Sequence, residues 1–325
     1  MTYSNTSHGY WLLGITIFLV FIKNLIVTIP ETYINLVCLF LILTIGISHG
    51  SLDNLKGNKI LILYKIKNKF IFYLAYVIVA AFFAFLWLLS PSFTLLIFLV
   101  VASYHFGKED CTYIEWSDIL YKESIEFNNK RIEQVYYFLK GSIVIWAPLT
   151  FHFTETLNIF EILFIDNITF KNILLYCNDN HIFLIAFCIS VLIGFAGFFV
   201  ETICIIVLNL YLSPLFAFTV YFCFLHSLRH SVSLIKEIEI DIMKKKSKRR
   251  FNTKFVDISI DGIKIFLKKA LPLTLITAIF FLASVYTLTN YYILDDAILK
   301  VIFIGLASLT FPHILLEYLI EKNGR

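Results

Sequence analysis

Four histidines in this sequence have types and spacing that could hold one metal ion. His226 and His230 are four positions apart, so on a helix both rings lie on one face and can reach the same ion. His49 and His105 each end an apolar run elsewhere in the chain. Imidazole ligands suit zinc, copper or iron, and neutral imidazoles leave such an ion its full charge. The pattern predicts a metal site with an open position for O₂, although an HxxxH pair in an arbitrary sequence can also arise by chance.

Two carboxylates are candidate outer partners of these histidines. Asp53 follows His49 by four residues, and Asp110 follows His105 by five. A metal-bound histidine usually donates its second ring N–H to a carboxylate or a carbonyl, which fixes the orientation of the ring. The alternative interpretation is that Asp53 and Asp110 are ordinary charges at helix ends near a membrane surface.

The composition indicates that these side chains are positioned by helices in a bilayer. Hydrophobic residues make up 59% of the 325 positions and charged residues only 15%, which excludes a soluble globular enzyme. The net charge of +4 comes from basic residues that flank apolar segments, so we expect no nucleic-acid partner. The sequence predicts an all-α, polytopic transmembrane helix bundle, with residues 1–325 forming a single integral-membrane domain.

Ten apolar runs are long enough, or nearly so, to cross a bilayer. The longest apolar stretch is divided at Ser213-Pro214, because proline removes a backbone donor and disfavours helix in the preceding residue. Two of the runs, 92–107 and 200–212, are short, so we expect eight to ten membrane segments. The ten runs are 11–29, 33–48, 69–89, 92–107, 134–152, 181–199, 200–212, 214–233, 263–289 and 291–319.

The charge pattern predicts how the segments are oriented. Basic residues cluster after the second and eighth segments, and such loops stay in the cytoplasm. We therefore expect the loops 49–69, 108–133 and 234–262 on the cytoplasmic side, together with both termini.

That topology sorts the histidines into two groups. The four candidate ligands lie at cytoplasmic ends of segments, and His313 near the same end is a possible fifth member. Ionisable groups inside membrane spans are costly and usually functional. The other three histidines are outside this group: His152 and His181 fall at the opposite face, and His8 lies in the N-terminal head.

Five sequence blocks occur in an order typical of one enzyme family. The chain resembles the Brp/Blh family of membrane β-carotene 15,15′-dioxygenases of bacteria and haloarchaea, from about residue 33 to residue 317. The blocks are HGSLD at 49–53, YHFGKED at 104–110, the stretch from Gly141 through APLTFH at 147–152, YFCFLHSLRH at 221–230 and GLASLTFPHILL at 305–316.

The resemblance implies a metal, a reaction and a location. The metal would be Fe²⁺, held by His49, His105, His226 and His230, and His313 would act as an outer or structural residue. Both atoms of O₂ would be added across the central double bond of β-carotene, giving two molecules of retinal. The protein would lie in the inner cell membrane as a multi-pass protein, in contact with membrane lipid, and could hand retinal to a rhodopsin.

Two other classes of protein remain open from the sequence. A histidine-rich membrane desaturase or hydroxylase would need two irons and more clustered histidines than this chain has. A non-enzymatic transporter, or a haem- or retinal-binding protein, is the third class, since His49 and His105 could ligate a haem.

Overall fold

The computed structural model describes residues 5–112, 129–164, 167–246 and 259–323. All of its regular secondary structure within these ranges is helical, which confirms the all-α prediction. The helices are α1 (Asn5–Phe21), α2 (Lys23–Ile26), α3 (Glu31–Leu41), α4 (Asp53–Leu63), α5 (Phe70–Leu89), α6 (Pro91–Thr112), α7 (Lys130–Phe151), α8 (Phe153–Ile162), α9 (Ile168–Asp179), α10 (Ile182–Phe195), α11 (Phe199–Tyr211), α12 (Pro214–Val220), α13 (Leu228–Lys246), α14 (Ile260–Leu288) and α15 (Leu294–Asn323).

Among the described residues, three short helical turns of other types connect these helices. Two are π-helical, Ile42–Gly46 after α3 and Tyr221–Ser227 between α12 and α13. The third is the 3₁₀ turn Ser48–Leu52, which leads directly into α4.

Five helical stretches of the described chain are long and apolar enough to cross a membrane by themselves. They are Glu31–Leu63, Phe70–Leu89, Pro91–Cys111, Ile260–Leu288 and Leu294–Asn323. Helices α9 and α10 meet at 66° and together would make a sixth span, and the apolar stretches His8–Phe21 and Phe199–Tyr211 are shorter. These apolar helices indicate a membrane protein with a polytopic helical bundle, and the count of eight to ten segments stays a prediction.

The predicted break in the long apolar stretch is confirmed. Tyr211 ends α11, Leu212 has an extended backbone with φ −120° and ψ 155°, and Pro214 is the first residue of α12. Proline is favoured at the first helical position because the N–H that it lacks would have no partner within the helix.

The segments assigned to cytoplasmic loops are helical over part of their length. Residues 53–63 of the predicted loop 49–69 form α4, and α13 continues through residues 234–246 of the predicted loop 234–262. Helix α6 extends to Thr112, into the predicted loop 108–133. Residues 113–128 and 247–258 lie outside the described residues, and the sidedness of all three loops stays a prediction.

Two glycines bring α6 and α7 into backbone contact. A Cβ atom on Gly107 would overlap the carbonyl oxygen of Tyr137, and a Cβ atom on Gly141 would overlap the carbonyl oxygen of Ser103. Small residues allow this close approach between membrane helices. Because His105 precedes Gly107 by two residues, the contact also fixes the depth of the His105 side chain in the bundle.

Candidate metal centre

The structure brings four imidazole rings together at one end of the bundle. His105 lies centrally, with its ring centroid 5.3 Å from those of both His226 and His313. The rings of His230 and His313 are 6.1 Å apart. His105, His226 and His313 are buried and His230 is half-buried, so the four rings form a compact cluster with little access to solvent.

A π-helical turn positions the pair His226 and His230. The turn Tyr221–Ser227 contains His226, and α13 continues from it through His230. Such turns are rare and occur frequently at functional sites. The hydroxyl of Ser227 donates a 3.1 Å hydrogen bond to the carbonyl of Gly46, the last residue of the other π-helical turn. The two turns are thereby tied together beside the histidine cluster.

Carboxylates accept hydrogen bonds from Nδ1 of both His226 and His230. Nδ1 of His226 lies 3.2 Å from Oδ1 of Asp110, and Nδ1 of His230 lies 3.0 Å from Oε2 of Glu109. Since a carboxylate only accepts, the Nδ1–H of each ring donates, and Nε2 is the nitrogen able to bind a metal. This is the arrangement by which proteins orient histidines around a metal ion.

Asp53 forms the same kind of bond with His313. Nδ1 of His313 is 2.8 Å from Oδ2 of Asp53, which also accepts a 3.0 Å hydrogen bond from the hydroxyl of Tyr76. The ring of His313 belongs to the cluster. The sequence allowed it as a possible fifth member and the resemblance implied an outer or structural residue, and its role toward a metal stays a prediction. Asp53 and Asp110 both contact histidines of the cluster, and their role as outer partners of metal ligands stays a prediction.

Glu317 is a carboxylate of the cluster that the sequence analysis missed. Its Oε2 is 3.6 Å from Nδ1 of His105, and its Oε1 is 3.5 Å from Nε2 of His313 and 3.0 Å from Nζ of Lys56. One donor atom each from His105, His313 and Glu317 could hold a metal ion, as could one each from Glu109, His230 and Glu317. The sequence signal was the spacing of His313 and Glu317, which puts both on one face of α15.

The backbone of His49 lies in the 3₁₀ turn Ser48–Leu52, and its side chain lies outside the described part of the structure. The neighbouring residues Gly46, Gly50 and Asp53 line the same cavity as His105 and His313. The turn that carries His49 is therefore adjacent to the cluster, and the ligand role of its side chain stays a prediction.

A second layer of charges holds Asp110 in place. The hydroxyl of Tyr221 donates a 2.9 Å hydrogen bond to Oδ2 of Asp110, and Nζ of Lys140 is 3.7 Å from the same oxygen. Arg229 donates to the backbone carbonyl of Asp110 at 3.1 Å and is paired with the buried Glu201. Buried charges need such partners, because an unpaired one costs several kcal/mol.

Two cavities of opposite character meet at the cluster. The larger, about 910 Å³, is an apolar groove with walls from α5, α14 and α15. The smaller, about 250 Å³, is a polar cavity lined largely by charged side chains, among them Lys56, Glu109, Glu237 and Glu317. His226 lines both cavities. The cluster is thus the boundary between an apolar space and a polar one.

The three remaining histidines lie apart from the cluster or contribute to other contacts. Nε2 of His152 is 2.7 Å from the carbonyl oxygen of Asn209, and His181 is exposed between α9 and α10. His8 is buried within α1, where the sequence placed it in an N-terminal head. The difference arises because the chain is already helical from Asn5. Helix α1 packs against α11, and His8 is buried in this part of the fold.

Comparison with known proteins places the chain in a family. A curated relative from an uncultured marine bacterium, 66A03, named beta-carotene 15,15′-dioxygenase, is 26% identical over 300 residues, covering 88% of this chain and 94% of the relative. No solved structure matches the chain. The sequence profile of one family, described as beta-carotene 15,15′-dioxygenase, matches residues 40–321. Since this match spans most of the chain and includes every residue of the histidine cluster, the protein belongs to the beta-carotene 15,15′-dioxygenase family.

Proposed function

We propose that this protein is an iron-dependent dioxygenase that cleaves β-carotene at its central double bond. The reaction would consume one O₂ and give two molecules of retinal, with one oxygen atom in each aldehyde, so no external reductant is required. The observation that carries the proposal is a cluster of carboxylate-oriented imidazoles at the end of an apolar groove. Membership of the family supports the same reaction.

The donor set fits a first-row metal such as Fe²⁺. Imidazole nitrogens suit iron, and the Nδ1 bonds of His226 and His230 to carboxylates favour metal binding through Nε2. We propose His49, His105, His226 and His230 as the ligands. His313 is the alternative fourth or fifth ligand, because its ring contacts that of His105. When bound, the iron would bind and activate O₂.

The protein itself would supply binding and orientation. The lining of the groove is predominantly apolar, which suits a hydrocarbon. Little of α5 or α14 is buried in the bundle, so both helices face lipid and a substrate dissolved in the bilayer can reach the groove between them. Phe106 and Phe222 pack against His226, with ring centroids 4.8 and 5.9 Å away, and limit access of water to the cluster.

Expression in bacterial cells that accumulate β-carotene tests this function. We expect the cells to lose colour and to contain retinal, measured by chromatography of cell extracts. His181→Ala is a matched control that should behave like the unaltered protein, because His181 is exposed and lies between α9 and α10, which carry none of the clustered histidines. If the protein is detected in the membrane but the cells retain their carotene and contain no retinal, the proposed reaction is excluded.

The ligand set can be tested separately. We expect His49→Ala to abolish iron binding in the purified protein, and His313→Ala to reduce it less. The opposite ranking would exchange the roles of His49 and His313. Metal analysis also tests for a second iron per chain, which the desaturase class would require.

The cellular role and location are part of the same proposal. We infer an inner-membrane, multi-pass protein whose retinal serves as the chromophore of a rhodopsin. Co-expression with an opsin should give coloured pigment without added retinal, whereas an opsin that stays colourless would argue against this supply.

A further inference from the structure

A buried lysine stands at the end of the groove that is remote from the histidines. Lys300 on α15 is only 4% exposed and lines the same cavity as His313. Thirteen residues of α15 separate the two side chains, a rise of roughly 20 Å. The groove therefore has the candidate metal centre at one end and an ammonium group at the other.

The surroundings of Lys300 combine aromatic faces with a backbone carbonyl. Its Nζ lies 3.7 Å from the ring centroid of Phe164 and 4.5 Å from that of Tyr292, and it donates to the carbonyl of Ile162. Phe164 and Tyr292 also line the groove. An ammonium above aromatic rings is attracted by their negative faces, which helps to hold it in an apolar site.

A pure hydrocarbon would make no use of a cation at this end of the groove. Placing a lysine inside an apolar membrane bundle is costly, and such residues usually serve a function. The carbonyl of Ile162 belongs to the last turn of α8, and capping it uses one of the three N–H donors of the ammonium. An oxygen atom on a ligand at this end of the groove can accept a hydrogen bond from one of the other two donors.

We propose that Lys300, Phe164 and Tyr292 form a binding site for the oxygenated ring end of a carotenoid. The substrates of this protein would then include carotenoids whose terminal ring carries a hydroxyl or keto oxygen. With the ring at Lys300, the polyene would extend along the groove toward the histidine cluster, over a distance comparable to half a carotenoid. This inference rests on the proposed function, since it assigns substrates to the same groove.

The experiment compares three carotenoids on the purified full-length protein. They are β-carotene, zeaxanthin with ring hydroxyls and canthaxanthin with ring ketones. Binding to metal-free protein is measured from the change in carotenoid absorption, and cleavage by iron-loaded protein is measured as kcat/KM. We expect tighter binding of at least one oxygenated carotenoid than of β-carotene, by roughly tenfold, the value of one hydrogen bond to a charged group.

Lys300→Met then tests the assignment of the preference to this residue. The preference should disappear in the variant, and Lys300→Arg, which retains a cationic donor, should restore part of it. If Lys300 only caps α8, Lys300→Met should weaken the binding of all three carotenoids equally. That result would overturn the proposal. Equal or weaker binding of both oxygenated carotenoids by the unaltered protein would also overturn it, without recourse to any variant.

The two proposals fail in different ways. Selective binding that depends on Lys300, without cleavage of any carotenoid, would contradict the proposed function and retain the site. Cleavage of β-carotene without selectivity for oxygenated rings would support the proposed function and contradict the proposed site.

Discussion

The groove and the polar cavity lie on either side of the same histidine cluster and differ in volume and in the polarity of their linings. The groove is about 910 Å³ and mostly apolar, while the polar cavity is about 250 Å³ and lined by carboxylates and lysines. A hydrocarbon gains free energy from the first space and nothing from the second. Glu109 and Asp110, which line the polar cavity, can therefore orient His230 and His226 without meeting the hydrophobic substrate, whereas Asp53 lines the groove itself.

The division also separates two tasks among the helices. Helices α5, α14 and α15 supply the groove, whereas α4, α6, α13 and the last turns of α15 supply the charges of the polar cavity. His226 lies at the boundary and lines both. Substitutions on the two sides should consequently affect different measurable quantities.

Removal of the boundary residue should have the largest effect. We expect His226→Ala to lose bound iron and to lower kcat/KM by more than about 100-fold, since loss of a ligand should exceed the loss of an outer partner. Iron content of purified protein and retinal formation are the measurements. A variant that keeps full iron but no activity would show that His226 acts in another way, and His181→Ala is the control.

Loss of an outer carboxylate should weaken metal binding without removing it. Asp110→Asn is expected to reduce iron affinity by roughly 10- to 100-fold, because Asp110 orients His226 and accepts further contacts from Tyr221 and Lys140. Glu109→Gln should have a smaller effect, as its bond is to the half-buried His230. Titration of metal-free protein with iron measures both. Unchanged affinity in Asp110→Asn would end the argument for an orienting role.

Filling the groove should affect the substrate but leave the metal unchanged. Ala84→Phe places a large side chain in the wall of the groove, where overpacking typically costs 1–3 kcal/mol, so we expect kcat/KM for β-carotene to fall by roughly tenfold. Iron content should be unaltered. Ala75→Phe is the matched control on the same helix, because Ala75 is exposed and does not line the groove. Equal effects of the two variants would show that the groove does not hold the substrate.

A charge at the edge of the polar cavity should matter least. Glu237 is exposed and lines this cavity, and we expect Glu237→Gln to change KM for β-carotene and iron content by less than about twofold. A large rise in KM would mean that carotenoid also enters the polar cavity, which would abolish the division between the two spaces.

Much of the helical framework follows from the sequence because membrane helices are specified by long local patterns. The predicted segments 69–89 and 263–289 correspond closely to Phe70–Leu89 and Ile260–Leu288, and the break before Pro214 is where it was expected. Helices α4 and α13 were harder to foresee, since they extend the apolar pattern into polar sequence. In the structure α4 packs against α15, and α13 packs against α14.

The cluster could be anticipated only in part. The i, i+4 spacing identified His226 and His230. Asp110 was expected as an outer partner from its position five residues after His105, whereas in the structure it contacts His226. The pairing of Glu109 with His230 joins residues 121 positions apart, and that of Asp53 with His313 joins residues 260 apart. Such pairs depend on how the helices pack against each other. No local pattern in a single sequence reveals that packing.

The two π-helical turns make this site sensitive to chain length as well as to residue type. A π-helical turn holds one residue more than the α-helical turn that it replaces, and each residue of an α-helix adds about 100° of rotation. Deleting one residue that precedes His226 in the turn Tyr221–Ser227 would therefore let α12 and α13 join as a regular helix, and His226 and His230 would turn away from Asp110 and Glu109, respectively. A deletion there would leave every histidine and carboxylate in the sequence and still dismantle their arrangement.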